Sequence, residues 1–405
     1  MSSIEEILDS ETIRKIVVQA CENDESVEVI SDRIERYSAH TVGFLGSHHS
    51  LEITIKRKSN PEPVKLKFFV KSVPRDSDGQ SQFVQQQRVF NHEAAFFNEL
   101  MPKLMEAVEL GEIEPWAPSC YLANDELVVL EDLRARGYSL LKTKCFEGPT
   151  LKAAVKTMAR LHAASILAEH RLGKPLGELY PDATREQMFS EHMAKHGSGL
   201  LESLIRDVAE KEGRKADNWN RGTKHAFMFV NVGNQDKRVV CHGDAWPNNV
   251  MMADDEEPKC LLVDYQIVRY APRMFDVAEM ICLSTTKEVR DREEKLALKT
   301  YWNELCETLR KCEPELARPS LEQLEEEYEE AKIAGLFNAI LYYPTILLGE
   351  EVYREYDDET AVLKKFVFRQ NNDCIMEHIE KDEAYGKRIA EVVIEFLDRC
   401  DELKD

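Results

Sequence analysis

Three acidic and amide side chains in the second half of the chain have a spacing suited to phosphoryl transfer. Asp244 lies in the segment HGDAWPNN, Asn249 follows five residues later, and Asp264 comes after the apolar run LLV. Phosphoryl transfer needs a carboxylate that accepts or orients the acceptor hydroxyl, and oxygen ligands that hold magnesium against nucleotide phosphates. The pattern supplies both. An Asx turn followed by a capping Asp is the structural alternative.

The elements predicted around these motifs form a β-rich first part and a mainly helical second part. Strands and turns dominate up to about residue 133, and helices dominate beyond Gly137, except that the segment with Asp244 and Asp264 reads as two short strands. The predicted elements are a helix at 4–20, three strands within 28–73, a helix at 82–107, two strands in PSCYLA and ELVVLEDL, and helices at 150–170 and 386–400.

Length and composition exclude several classes of protein. A chain of 405 residues is too long to fold around one ordinary hydrophobic core, so we expect two lobes with a cleft between them. The net charge of -22 repels nucleic acid and anionic membranes. The N-terminus does not read as a targeting peptide, and the apolar stretch 333–348 is too short to span a bilayer. We expect a cytoplasmic protein whose ten cysteines are reduced, without nucleic-acid or membrane partners.

The motifs HGDAWPNNVMM and LLVDYQ, with LVVLEDL and ARLHA upstream, resemble the ecdysteroid kinase-like family of the choline/aminoglycoside-kinase-like group. The resemblance runs from about residue 30 to the end. It implies an α+β, two-lobed protein-kinase-like fold with an antiparallel β-sheet N-lobe and a mainly helical C-lobe. It makes Asp244 the catalytic base and Asn249 and Asp264 the magnesium-holding pair. Tyr265 and Gln266 replace the Phe and Gly of protein kinases, which argues against a protein substrate.

The same resemblance makes Lys71 the lysine that pairs with nucleotide phosphates and Glu93 the acid that holds it. Lys71 follows the apolar run FFV, which implies partial burial, where a lone charge needs a partner. A solvated lysine on a charged strand is the alternative. Glu99 is the competing acid, but it lies six residues after Glu93 and therefore points to a different face of the helix.

Two further segments match nucleotide-binding positions. The loop from Gly43 to Ser50 falls where a phosphate-covering loop should lie, and the backbone N–H groups of Gly46 and Ser47 are its candidate contacts. An ordinary hairpin turn explains this loop equally well. Glu131 and Leu133 match the interlobe hinge, whose backbone would bind the adenine edge; a surface turn is the alternative.

Two histidines and one further acid are expected to support the Asp244 loop. His242 has no second His or Cys at ligand spacing, so we expect it to order the loop by hydrogen bonding. His162 reads as a buried helix residue that faces the loop. The resemblance makes Asp276 the helix-start acid that holds the loop through backbone N–H groups, and an ordinary N-cap is the alternative.

An aromatic cluster, which includes Phe337, Tyr342 and Tyr343, lies on a predicted helix after the catalytic segment. Helical aromatic residues usually belong to the core, and we favour that interpretation. A hydrophobic acceptor pocket is the alternative, because the cluster falls in the helical lobe.

These observations predict an N-terminal helical extension (1–27), a nucleotide-binding N-lobe (28–133) and a C-lobe with the catalytic loop and acceptor site (134–405). The expected activity is ATP- and Mg2+-dependent transfer of the γ-phosphoryl group to the hydroxyl of a small-molecule alcohol. The resemblance suggests an ecdysteroid or another lipophilic alcohol. The alternatives are a choline/aminoglycoside-type kinase for a cationic acceptor, or a ligand-binding pseudokinase, which the presence of Lys71, Asp244, Asn249 and Asp264 disfavours.

Overall fold

The computed structural model of the chain describes residues 4–37, 46–58, 60–74, 84–85, 88–190, 198–233, 237–253, 255–349, 352, 365–366 and 371–403. An antiparallel sheet forms its first part, and its second part is mainly helical. This is the two-lobed protein-kinase-like arrangement predicted from the sequence. A contact between Lys71 and Asp264 joins the two lobes at the predicted site.

Five strands form the N-terminal sheet in the spatial order β1-β2-β3-β5-β4, and all of these pairings are antiparallel. Apolar and polar side chains alternate along β2, which fixes the face that meets the core. Leu51, Ile53 and Ile55 are buried on that face, while the residues between them are half-buried. β3 is central and carries Lys71 near its end. The strands are β1 (Glu28–Arg36), β2 (Ser47–Arg57), β3 (Asn60–Ser72), β4 (Cys120–Ala123) and β5 (Leu127–Glu131).

Two helices, α1 (Ile4–Ile7) and α2 (Ser10–Ala20), precede the sheet. The side chain of Asp9 caps α2 by accepting a hydrogen bond from the Thr12 amide at 2.8 Å, which explains the break between the two helices. The apolar stripe of α2 joins the core beneath the sheet. The helix predicted at 4–20 is therefore confirmed, with an interruption at its first turn.

The segment between β3 and β4 was predicted as one helix from 82 to 107, and the structure divides it. Helix α3 (Val89–Ala95) is followed by a π-helical turn (Phe96–Leu100) and by α4 (Met101–Val108). Pro102 has no amide hydrogen and cannot bond to the carbonyl four residues earlier, so the regular ladder is interrupted there. Residues 82–83 lie outside the described residues.

The C-terminal part contains the predicted helices and more strand structure than expected. The segment predicted as two short strands forms three, and a fourth strand follows it; β7 pairs with β10, while β8 pairs with β6 and β9. The strands are β6 (Tyr138–Leu140), β7 (Arg238–Cys241), β8 (Val250–Ala253), β9 (Lys259–Leu262) and β10 (Arg269–Pro272).

Helices pack around these small sheets. They are α5 (Pro149–Leu172), α6 (Leu176–Leu179), α7 (Pro181–Thr184), α8 (Ser198–Lys211), α9 (Trp219–Val232), α10 (Arg273–Ser284), α11 (Lys287–Cys312), α12 (Leu321–Ile346), α13 (Asp373–Lys381) and α14 (Glu383–Glu402).

Helices α10 and α12 pack closely behind the Asp244 loop. A side-chain carbon at Gly335 of α12 would lie 2.7 Å from the carbonyl carbon of Ala278, so only glycine allows this approach. The apolar stretch after Gly335 is a buried part of α12, as predicted. Among the described residues, none of the helices has the length and apolar character needed to cross a membrane.

Candidate active site

The loop from His242 to Asn249 connects β7 to β8, and Asp276 of α10 holds its first turn. The Asp276 carboxylate accepts hydrogen bonds from the backbone amides of His242 at 2.7 Å and Gly243 at 2.9 Å. Gly243 has φ +77, a conformation that favours glycine. Asp276 lies inside α10 and does not cap it, so its bonds fix the loop that presents Asp244.

A buried hydrogen-bond chain fixes Asp276 in turn. His162 Nε2 lies 3.1 Å from Asp276 Oδ2, and His162 Nδ1 lies 2.7 Å from the Tyr301 hydroxyl. A carboxylate only accepts, so Nε2 carries the hydrogen in its contact with Asp276. Burial alone would raise the pKa of Asp276, but the hydrogen bonds from His162 and from the loop lower it. Asp276 is therefore an ionised anchor for the loop.

His242 joins the Asp244 loop to the segment that carries Asp264. Its Nε2 lies 3.0 Å from the carbonyl oxygen of Val263, and its Nδ1 accepts from the Asp244 amide at 3.3 Å. Burial lowers the pKa of His242, so the ring is neutral with its hydrogen on Nε2. The ordering role expected from the sequence fits these two bonds.

Asp244 is buried, and one of its carboxylate oxygens has no partner. The side-chain amide of Asn249 donates to the Asp244 carbonyl oxygen at 2.9 Å and to Oδ2 at 2.8 Å. No described residue donates to Oδ1 with good hydrogen-bond geometry, although the Trp246 side chain lies close enough to lower the pKa of the carboxyl group. Burial and the charge of Asp264 raise the pKa of Asp244 to about 7. The carboxyl group can therefore exchange a proton near neutral pH.

The Lys71 ammonium group is buried among three oxygen acceptors. Nζ lies 2.6 Å from Asp264 Oδ1, 2.8 Å from Glu93 Oε2 and 2.9 Å from Gln266 Oε1. Although burial opposes the charge, the carboxylates of Asp264 and Glu93 raise the pKa of Lys71. The Lys71 side chain is therefore cationic and held in one place.

The two acids on Lys71 differ in exposure. The Glu93 side chain is 1% exposed, whereas that of Asp264 is 26% exposed. Glu93 also accepts from the Tyr265 amide at 3.3 Å, and burial raises its pKa. Glu93 is therefore an internal brace, and Asp264 is the acid that a ligand in the cleft can reach. Glu99, the competing acid in the sequence, is exposed on the π-helical turn.

Asp264 has φ +69, which is unusual for a residue with a side chain. The next residue is firmly packed, because the Tyr265 ring stacks on Phe96 at 4.6 Å and meets the edge of His242 at 4.7 Å. This packing explains how a tyrosine serves at the position where protein kinases have Phe. Backbone strain of this kind is characteristic of functional sites.

Part of the predicted phosphate-covering loop lies beside Lys71. A side-chain carbon at Gly46 would lie 2.9 Å from Cγ of Lys71, so this glycine lies against the lysine. Ser47 begins β2 and pairs with Ser72. Gly43 lies outside the described residues. The phosphate-covering role of Gly46 and Ser47 stays a prediction.

One backbone amide of the predicted hinge already donates a hydrogen bond within the protein. The Glu131 amide donates to the Ser119 carbonyl oxygen at 2.9 Å, so this amide is not available to a nucleotide. Leu133 is buried and begins a short turn capped by Asp132. A hinge contact at Glu131 would need its carbonyl oxygen.

Comparison with known proteins identifies the family of this chain. The model of the ecdysteroid kinase-like family matches residues 43–314. The chain belongs to this family. A relative in Caenorhabditis elegans, described as an uncharacterized kinase-like protein, is 26% identical over 259 residues; the match covers 60% of this chain and 61% of the relative.

Two solved structures are also similar to this member of the ecdysteroid kinase-like family. An ethanolamine kinase of Plasmodium vivax has a TM-score of 0.40 and 14% identity, with 85% of this chain and 84% of that chain covered. A macrolide 2′-phosphotransferase of Brachybacterium faecium has a TM-score of 0.36 and 10% identity, with coverage of 84% and 95%.

Arg269 is a site residue of this family member that sequence reasoning missed. It is 1% exposed, donates to the Gly243 carbonyl oxygen at 2.9 Å and lies 3.4 Å from Glu186. Its guanidinium also lies over the rings of Phe189 and Phe275. Because its partners are distant in sequence, no local pattern could have identified it. Arg269 links the catalytic loop to the segment around Glu186.

The aromatic cluster is divided between two environments. Phe337 and Tyr343 are buried, and the Tyr343 hydroxyl donates to the Cys282 carbonyl oxygen at 2.5 Å. The prediction of core packing holds for these two. Tyr342 is only partly buried, and the charge of Asp244 raises its pKa in addition to the effect of burial. Tyr342 is therefore less buried than the other two members of the cluster.

Proposed function

We propose that this chain is an ATP- and Mg2+-dependent kinase that transfers the γ-phosphoryl group to a hydroxyl of a neutral, lipophilic small molecule such as an ecdysteroid. The observation that carries the proposal is the buried, unpartnered Oδ1 of Asp244 in the same site as the Lys71 ammonium group. A buried polar atom without a partner is rare in native proteins and calls for an explanation. A substrate hydroxyl would satisfy it.

The donor set around Lys71 suits a nucleotide with magnesium. The Asn249 amide group donates to Asp244, which leaves its side-chain carbonyl oxygen as an acceptor, and Asp264 offers a partly exposed carboxylate. Oxygen donors of this kind are the ligands that magnesium prefers. Asn249 and Asp264 would hold the metal, which would supply neutralisation of phosphate charge. Lys71, braced by Glu93, would bind phosphate oxygens.

The proposed steps at the acceptor use groups of this chain. Asp244 Oδ1 orients the acceptor hydroxyl and receives its proton as the new bond to phosphorus forms. Asp276 and His242 keep the loop in position, so Asp244 loses little freedom when the acceptor binds. In this scheme the N-lobe (28–133) binds the nucleotide and the C-lobe (134–405) provides the catalytic loop and the acceptor site.

The charges near Asp244 favour a neutral acceptor over a cationic one. Burial raises the pKa of Glu279 well above its usual value, which favours its neutral form. Glu186 accepts from Arg269 and from two backbone amides. These surroundings make the two acids poorly suited to bind a cation. Partly buried aromatic side chains, Phe227, Trp246 and Tyr342, pack at the edge of the surrounding core and suit an apolar body.

The test is ATP turnover with magnesium across ecdysteroids, other sterols, plant phenols, choline and aminoglycosides, with phosphorylated products identified by mass. We expect turnover with neutral lipophilic alcohols and a loss of about 100-fold or more in Asp244→Asn. Asp255→Asn is the matched control, because Asp255 is exposed in the turn after β8. Turnover confined to choline or aminoglycosides would reject the acceptor class. Nucleotide binding without any product would favour a pseudokinase.

A further inference from the structure

Gln266 lies beside Lys71 where the two lobes meet, and the proposed function gives it no role. Its side-chain oxygen Oε1 accepts a hydrogen bond from Lys71 Nζ at 2.9 Å. Asp264, two residues earlier, shares the same ammonium group at 2.6 Å. The backbone of Gln266 is held as well, because its carbonyl oxygen accepts from the Gln187 side chain at 3.1 Å. Contacts at the backbone and at the end of the side chain therefore fix the position of Gln266.

The contact with Lys71 determines which way the Gln266 amide group points. A lysine ammonium group only donates, so the amide oxygen faces Nζ and the amide nitrogen is turned away from it. The oxygen and nitrogen of an amide share one carbon atom and lie about 2.2 Å apart. The Gln266 amide nitrogen therefore lies within about 5 Å of Lys71 Nζ.

The Gln266 amide nitrogen has two hydrogens and no acceptor for them. Within the part of the chain that the structure describes, the side chain of Gln266 bonds only to Lys71. The amide nitrogen is not one of the buried polar atoms that lack a partner, so it keeps contact with solvent. A ligand in the cleft can therefore reach this nitrogen and supply the acceptor.

All three hydrogens of the Lys71 ammonium group are engaged, by Glu93, Asp264 and Gln266. A phosphate oxygen can therefore bind Nζ only if one of these acceptors gives way. Asp264 is the acceptor that can leave, because its side chain is 26% exposed, whereas that of Glu93 is 1% exposed. A phosphate group that replaces Asp264 on Nζ then has a second donor within reach, the Gln266 amide nitrogen.

We propose that Gln266 donates a hydrogen bond from its amide nitrogen to a phosphate oxygen of the bound nucleotide, while its amide oxygen keeps Lys71 in place. The glycine that protein kinases have at this position offers neither atom. A hydrogen bond to a charged acceptor is roughly twice as strong as one between neutral groups, so the contact contributes to nucleotide affinity. This inference rests on the proposed function and adds a phosphate-contacting residue to it.

Three variants of the full chain test the inference. Gln266→Met removes both the donor and the acceptor, whereas Gln266→Glu keeps an oxygen for Lys71 and removes only the donor. Gln187→Glu is the matched control, because it adds the same charge to a side chain that contacts the backbone of Gln266. The measurements are Kd for ATP with magnesium, Kd for adenosine, which has no phosphate, and the melting temperature.

We expect ATP binding to weaken about 10-fold in Gln266→Met and about 100-fold in Gln266→Glu, with unchanged adenosine binding. Gln187→Glu should weaken ATP binding about threefold or less. A side chain that only braces Lys71 gives the opposite order at position 266, since a carboxylate braces an ammonium group at least as well as an amide does. That order, or equal losses in Gln266→Glu and Gln187→Glu, would overturn the inference.

The same measurements separate this inference from the proposed function. If ATP binds but no alcohol is phosphorylated, the kinase proposal fails, and the order of the Kd values still decides the role of Gln266. If alcohols are phosphorylated and both Gln266 variants bind ATP as tightly as the unmodified chain, only the inference fails. If ATP with magnesium does not bind the unmodified chain, both are overturned.

Discussion

Lys71 Nζ and Asp264 Oδ1 lie 2.6 Å apart, although 193 positions separate the two residues in sequence. This ion pair joins β3 of the N-terminal sheet to the segment that follows β9. The same lysine also bonds to Glu93, so one cation holds two acids from different elements. In the proposed function, phosphate oxygens bind Lys71 and magnesium binds Asp264. Nucleotide binding would therefore replace the contact between the two residues with contacts to the ligand.

Lys71→Met is expected to weaken ATP binding and to destabilise the fold. The substitution leaves Glu93 and Asp264 without their cation, and breaking a buried ion pair from one side costs about 3 kcal/mol or more. The KM for ATP and the free energy of unfolding in urea measure the two effects. Lys67→Met is the control, because Lys67 is exposed on the same strand. Equal losses in both variants would contradict a specific role for Lys71.

Glu93→Gln is expected to lower kcat/KM for ATP about tenfold, because a charge-assisted hydrogen bond to Lys71 becomes a neutral one. Stability should fall as well, but by less than in Lys71→Met, because the buried Lys71 ammonium group keeps Asp264 as a charged partner. Glu99→Gln, on the adjacent exposed turn, should leave kcat/KM within twofold. A larger effect from Glu99 than from Glu93 would mean that the brace is assigned to the wrong acid.

Much of the fold could be predicted from local patterns. The alternation in β2 and the apolar stripe of α2 identify their elements because each has one buried face. The catalytic loop was recognisable because Asp244 and Asn249 are close in sequence and their contact is local. The contact between Lys71 and Glu93 was expected only from the family resemblance, and the structure places the two side chains together.

Other features depend on contacts that no local pattern records. Arg269 bonds to Gly243 and Glu186, which lie 26 and 83 positions away. Gln266 was noted as a departure from protein kinases, but its bond to Lys71 crosses 195 positions. Tyr342 and Tyr343 are adjacent and chemically identical, so only the packing of α12 separates a partly buried residue from a core residue. Tertiary contact decides these roles.

The pKa of Asp244 predicts opposite effects of pH on activity and stability. Burial and the charge of Asp264 raise this pKa from the usual 3.8 to about 7. The base must be ionised, so kcat/KM for the acceptor should rise with pH to half its maximum near 7. The folded pKa exceeds the unfolded one, so ionisation of Asp244 removes stability as pH rises from about 4 to about 7.

Asp244→Asn should therefore be inactive yet more stable than the unmodified chain by about 1 to 3 kcal/mol at pH 8. The difference should shrink to about 0.5 kcal/mol near pH 4, where the folded chain binds the proton and the unfolded chain is about half protonated. Urea unfolding at pH 4 and pH 8 measures it. A variant that is less stable at pH 8, or a flat activity profile between pH 5 and 8, would contradict the raised pKa.

Gly243→Ala tests whether the loop geometry presents Asp244 for reaction. Gly243 has φ +77, and an added side-chain carbon would lie 2.5 Å from the Ile267 carbonyl oxygen and 2.6 Å from Arg269 Nε. Gly137 has φ +82 with no atom within 4 Å of the same carbon, so Gly137→Ala isolates the backbone cost.

We expect Gly137→Ala to cost about 1 kcal/mol of stability without loss of kcat, since only the left-handed conformation is penalised. Gly243→Ala adds a clash with backbone, so its cost should exceed about 3 kcal/mol. The loop must move to relieve that clash, and a displacement of about 1 Å at a reacting group can reduce the rate about 100-fold. Parallel unfolding and kcat measurements compare the two variants. Similar losses of kcat in both would mean that the conformation of Gly243 does not determine how Asp244 is placed.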